Sequence, residues 1–244
     1  FTNLYNLIIG KIYNASDLGF YSRANDFFLI TTSNSIGVVG KVVFPILSKL
    51  QDDNVRFESV FLRGLKLLSF VTMPLMFVLL VVSENLIIIL ITDKWLQSVP
   101  YLQILCLMGV LLPISVMNLQ ALNAKGRSDL FLKLEIIKKI IMVISIYFSY
   151  PYGITTMLLS HFILVSFSSL ILNTYYSGVV FGCDSIKQFK ATYKILVVSI
   201  MMAVLLFMID YLSSFSVGIT LFVQIIMGFS FYVLSMWMFE NTFV

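Results

Sequence analysis

Ala24-Asn-Asp-Phe-Phe-Leu-Ile-Thr-Thr-Ser-Asn-Ser-Ile-Gly-Val-Val-Gly-Lys-Val-Val-Phe-Pro-Ile-Leu-Ser-Lys-Leu50 is the stretch whose reading decides the fold. At 1.5 Å per residue it makes about 40 Å of α-helix. That is more than the roughly 30 Å of bilayer hydrocarbon. It is not uniformly apolar. Projected at 100° per residue, Asp26, Asn34, Gly37, Lys41, Pro45 and Ser48 fall on one side. Leu29, Ile36, Val39, Val43, Ile46 and Leu50 fall on the other. A membrane helix with one wet side implies a bundle that encloses something polar.

The rest of the chain agrees with a membrane setting. Apolar residues make up 59% and charged residues 11%, with a mean hydropathy of +0.98. Soluble domains carry about 25% charged residues. The net charge of +4 therefore reads as basic turns beside a membrane surface, with no nucleic-acid partner. The chain begins at Phe1 inside an apolar run, as expected of the C-terminal piece of a longer protein. Two cysteines, Cys106 and Cys183, make no disulfide framework.

Eight apolar stretches follow one another: Phe1–Tyr13, truncated; Ala24–Leu50; Phe61–Val82; Val99–Leu122; Leu130–Tyr150; Ile154–Val180; Tyr193–Leu212; and Val217–Phe239. Ser83–Asn85 interrupts the third, and Pro113 kinks or opens the fourth. The fold class is all-α, a polytopic helical bundle; no barrel-like alternation is present. The turns after the second, fourth and sixth stretches, with their flanks, hold Lys49, Arg56, Arg63, Lys66, Lys125, Arg127, Lys133, Lys138, Lys139, Lys187, Lys190 and Lys194, twelve of the sixteen basic residues. The positive-inside rule makes those turns cytoplasmic and the C-terminus cytoplasmic.

Several elements resemble a known family. They are Asp17-Leu-Gly-Phe-Tyr-Ser-Arg-Ala24, Phe44-Pro-Ile-Leu-Ser-Lys-Leu-Gln-Asp-Asp53, Asp93-Lys-Trp95, Gln120-Ala-Leu-Asn-Ala-Lys-Gly-Arg-Ser-Asp129 and Tyr152-Gly-Ile154. Together they are similar to the polysaccharide-transporter family of the MOP superfamily, which flips lipid-linked oligosaccharides for O-antigen, capsule and exopolysaccharide synthesis. The resemblance implies two six-helix lobes around a central cavity, with two accessory helices at the C-terminus. Residues 1–182 would then be the second lobe and 183–244 the accessory pair. It implies a bacterial inner-membrane protein that moves an undecaprenyl-diphosphate-linked oligosaccharide by alternating access. A proton or sodium ion as coupling ion, and other polysaccharide-assembly proteins as partners, follow from the same likeness.

A flippase makes no bond. It must carry a diphosphate and a glycan past hydrocarbon, which needs a wet, cationic cavity. Lys41 leads, about 12 Å deeper along its helix than Lys49 and on the face of Asn34; the rival role is snorkelling to the headgroups. The fifth stretch must take Glu135, Lys138 and Lys139 partly into the bilayer. Glu135 can pair with one lysine, leaving the other to hold phosphate or to fix topology. Arg23 and Asp26 read as an ion pair or cap at the outer end of the long helix, with outer gating as a second role. Asn118 bridges helices or contacts sugar hydroxyls. His161, the chain's single histidine, suits an interhelical hydrogen bond, with proton coupling behind it.

The sequence offers no metal set, no cofactor motif, no phosphate-binding glycine loop and no supported catalytic triad, so no enzyme is expected. Two alternatives stand beside the flippase, apart from a non-transporting scaffold fragment. One is a cation-coupled small-molecule or drug antiporter of the same superfamily. The other is a membrane glycosyltransferase or polymerase with its catalytic part outside this chain.

Overall fold

The computed structural model describes residues 3–213 and 216–241, excepting the side chains of residues 3, 34–36, 38–40 and 239–241. Every regular element among the described residues is helical. In chain order the long ones are α1 (Asn3–Ile12), α2 (15–49), α3 (Asn54–Ile91), α4 (Val99–Ala124), α5 (Ser128–Ser149), α6 (Ile154–Phe181), α7 (Ser185–Leu212) and α8 (Val217–Asn241), with 3-10 turns at Asp93–Ser98 and Tyr150–Tyr152. Five of the described helical stretches are long and apolar enough to cross a membrane: Asn54–Ile91, Asp93–Ala124, Ile154–Phe181, Ser185–Leu212 and Val217–Met238. The protein is a multi-pass membrane protein. α2 and α5, which carry charge in mid-chain, are not among the five.

Local chemistry sets the boundaries, and several differ from the apolar runs. α2 starts at Ala15, not Ala24, because Asn14 caps it: its Oδ1 accepts from the Asp17 backbone N–H at 2.8 Å. The cap reading of Asp26 is thereby corrected. Within α2, residues Val39–Val43 form a π-helical turn before Phe44–Lys49 resumes the α-helix. Pro45 supplies the reason. It has no N–H to give the Lys41 carbonyl, and its ring crowds that carbonyl. α3 runs unbroken for 38 residues, through Pro74 and through Ser83–Asn85. The polar triplet does not interrupt it: Ser83 Oγ donates back to the Leu80 carbonyl at 2.9 Å and accepts from Gln103 Nε2 at 3.3 Å, Glu84 is exposed, and Asn85 is hydrogen-bonded to Asp210. α7 begins at Ser185, two turns before its apolar run, after Asp184 Oδ1 accepts from the Lys187 N–H at 3.0 Å.

The chain divides into two compact units, Phe1–Thr31, Pro74–Leu107 and Val197–Val244 in the first, and Thr32–Met73 with Met108–Leu196 in the second. In the first, Tyr5 and Tyr21 stack at 6.1 Å between centroids, pairing α1 with α2. Asn85 Nδ2 donates to Asp210 Oδ1 at 2.8 Å. The buried Gln224 Nε2 donates to the same oxygen at 3.2 Å and to the Leu206 carbonyl at 3.3 Å. α3, α7 and α8 are thus tied by amides.

In the second unit the core gathers Leu47, Phe57, Phe61, Leu65, Met117 and Phe181. The Phe181 ring lies 5.0 Å from Phe57 and 5.1 Å from Phe61. Gly64 lets α3 come close: a Cβ there would lie 2.9 Å from Met117 Cε. α4 ends in a Schellman motif. The Arg127 N–H donates to the Leu122 carbonyl and the Gly126 N–H to that of Asn123, both at 2.9 Å. Gly126 takes the left-handed position, with φ +73°.

Candidate functional site

In the second unit, α2 exposes Ser33, Lys41, Pro45 and Lys49 together with Val42 and Ile46, while Leu47 is buried. Lys41 sits in the π turn that Pro45 imposes. Its side chain is exposed and makes no ion pair with a described residue. π turns in helices recur at functional sites because they break the regular ladder and re-aim a side chain. Asn34, predicted beside Lys41, lies outside the residues whose side chains are described.

α5 behaves differently. Its exposed side is an apolar stripe of Leu132, Ile136, Ile140, Val143, Ile144 and Phe148, a surface suited to lipid tails. Glu135, Lys138 and Lys139 are half-buried beside it. Lys138 pairs with Glu135, their side chains 31% and 21% exposed. Lys139 is also engaged, so the spare cation expected from the sequence is not spare. The π-helical turn His161–Ser166 in α6 packs against α5. His161 is half-buried at its start, and Ser145 Oγ of α5 donates to Ser160 Oγ at 2.9 Å.

Of the two roles open to Asn118, the bridge between helices is the one the structure describes. It is fully buried, with no surface to offer a substrate. Its Nδ2 donates to Gln188 Oε1 and to the Ile114 carbonyl, each at 2.7 Å. Its Oδ1 accepts from Gln188 Nε2 at 2.9 Å and from Ser177 Oγ. The amide therefore joins α4, α6 and α7. Gln188, its reciprocal partner, was missed. The sequence places it in a basic turn, and only the cap at Asp184 reveals that it is helical.

Lys125 is a second missed residue. Its Nζ donates to the Gln51 carbonyl and to Asn54 Oδ1 at 2.6 Å, and lies 4.4 Å from the Phe57 ring centroid. Burial lowers its pKa, against the charges of Asp52 and Asp53. Two family-like elements, Phe44–Asp53 and Gln120–Asp129, meet through this one ammonium. Lys187 Nζ lies 2.7 Å from Glu58 Oε1.

In the first unit, Arg23 and Asp26 form the expected ion pair at 3.6 Å, both about half exposed. The Arg23 guanidinium also lies 5.5 Å from the Trp95 ring centroid. An apolar groove of about 660 Å³ between α7 and α8 is lined by Val204, Met208, Thr220 and Val223 among others and carries no charged side chain.

Residues 1–100 match the family model described as polysaccharide biosynthesis protein. The resemblance to the polysaccharide transporters holds. The chain is 28% identical over 142 residues to the lipopolysaccharide biosynthesis protein WzxC of Escherichia coli K12, covering 58% of this chain and 29% of the relative. It is 34% identical over 128 residues to the teichuronic acid biosynthesis protein TuaB of Bacillus subtilis 168, covering 52% and 26%. It is 28% identical over 110 residues to the succinoglycan biosynthesis transport protein ExoT of Rhizobium meliloti 1021, covering 45% and 22%. The matches thus take in less than a third of each relative. Among solved structures, the lipid II flippase MurJ in an inward closed conformation superposes with a TM-score of 0.80 at 18% identity, over 98% of this chain and 50% of that one. The fold is that of the matched half of MurJ.

Proposed function

We propose that this chain is the second lobe of a bacterial inner-membrane flippase, residues 1–182, with an accessory helix pair in 183–244. Its cargo is an undecaprenyl-diphosphate-linked oligosaccharide, moved outward by alternating access for surface polysaccharide synthesis. The names of the relatives support the pathway, and the likeness to a lipid flippase supports the fold the task needs. The observation that carries the reading is Lys41. It is an exposed cation in a π turn, on a helix that is not among the five apolar spans. A diphosphate leaving water needs such a charge in an enclosed wet space.

The α5 pair works otherwise in this reading. Glu135 neutralises Lys138 beside the π turn of His161, so the pair serves the interior of the lobe, where a coupling proton would be exchanged at His161. The basic turns face the cytoplasm, and the C-terminus returns there. The decisive experiment replaces Lys41 with alanine in the native protein. Surface polymer is expected to fall at least several-fold, with undecaprenyl-linked repeat units accumulating on the inner leaflet while the protein still inserts. Normal polymer at matched expression would sink the reading. Cysteines at positions 138 and 139 are expected to resist alkylation from the outer side.

A further inference from the structure

We infer that Arg23, Asp26 and Trp95 form a recognition site for an uncharged sugar ring, an inference that rests on the cargo being a glycan. The elements Asp17–Ala24 and Asp93–Trp95 lie far apart in sequence and take no part in the electrostatic task of Lys41. The fold brings them together within the first unit. The Trp95 indole lies against α2, with the Phe20 ring edge-on at 5.6 Å and the Arg23 guanidinium at 5.5 Å. The backbone passes close enough that a Cβ on Gly19 would sit 3.8 Å from the indole.

Arg23 is 53% exposed and Asp26 56%, yet the guanidinium is restrained on two sides. A fixed donor fork beside a fixed acceptor carboxylate matches the neighbouring hydroxyls of a pyranose, each of which both donates and accepts. The half-buried indole alongside keeps some apolar surface beyond Phe20 and Arg23 for the ring C–H groups. The local charges of Arg23 and Asp26 cancel, so the site suits a neutral sugar better than a phosphate. Backbone strain marks the same turn. Thr92, which opens the 3-10 turn Asp93–Ser98, holds φ +95° and ψ 161°. That region is essentially reserved for glycine, and such outliers gather where a site is pre-organised.

The test measures Trp95 emission in the native protein reconstituted in nanodiscs, taken as the difference from the Trp95→Phe variant. Galactose, glucose and N-acetylglucosamine are titrated in turn. At least one is expected to shift that emission saturably, with binding at least tenfold weaker in Arg23→Gln and Asp26→Asn at unchanged melting temperature. An emission that no sugar moves, or a response that Arg23→Gln leaves intact, makes Trp95 a packing clasp only and overturns the site. The two readings fail separately. Silent sugars with export lost in Lys41→Ala remove this site alone, whereas bound sugars with normal export in Lys41→Ala remove the flippase.

Discussion

Thr92 and Gly153 share one backbone conformation, φ 95°, ψ 161° and φ 97°, ψ 165°. Glycine adopts it freely; a β-branched residue does not. Such a position costs on the order of 1–3 kcal/mol. Thr92→Gly is therefore expected to raise stability by about 1 kcal/mol, net of the entropy glycine adds to the unfolded chain. Thermal unfolding in detergent would show it, and a lower melting point would place the strain elsewhere. A second residue-scale effect is electrostatic. Arg127 grips Asp129 through two hydrogen bonds of 2.9 Å and holds its carboxyl down at about 2. A depressed carboxylate stabilises above its unfolded pKa and loses that support as pH falls toward the folded value. Asp129→Asn is thus expected to flatten the acid limb of the stability profile between about pH 4 and pH 2, read by melting temperature.

At the scale of elements, the paired amides of Asn118 and Gln188 decide how α4, α6 and α7 pack. Every polar atom of Asn118 is satisfied inside the bundle. Removing one leaves the other buried and short of partners: without Asn118, Gln188 Oε1 loses its donor, and without Gln188 the Asn118 amide keeps only Ile114 and Ser177, at a cost of about 1–3 kcal/mol. Asn118→Leu and Gln188→Leu are each expected to destabilise by that order. The double variant is expected to fall short of the sum, because the orphaned group is gone too. Strict additivity in a double-mutant cycle would show that the two amides are not coupled. α2 gives the complementary lesson. Its π turn was implicit in Pro45, whose effect falls four residues upstream on Lys41. The start of α2 was hidden, since Asn14 announces a cap only once the helix beyond it is known to continue into polar sequence.

For the whole molecule, α7 matters more than its place after the lobe suggests. Gln188 completes the amide set around Asn118, and Lys187 pairs with Glu58 of α3. Removal of residues 183–244 from the native protein is expected to abolish folded accumulation, not merely trim an appendage. Size-exclusion profiles of a tagged truncation would check this, and a monodisperse shortened protein would contradict it. The helical class, the membrane setting and eight of the helical stretches were legible in the sequence. Twenty-residue apolar runs have no other stable form in hydrocarbon, where each backbone N–H and C=O must bond within its own segment. Charge was legible as an inventory, but not as a direction. The Glu135–Lys138 pairing was open to view at i,i+3, but how far Lys41 and Lys138 are exposed was not. One is exposed in a π turn; the other is turned against a glutamate and half-buried. Helix rotation settles which, and rotation depends on packing among side chains remote in sequence. For the same reason only the tertiary structure could pair Asn118 with Gln188, or lay Trp95 on Arg23. Hydropathy of each stretch by itself determined that this chain is a helical membrane bundle, whereas its polar contacts were fixed by neighbours that the linear order keeps far apart.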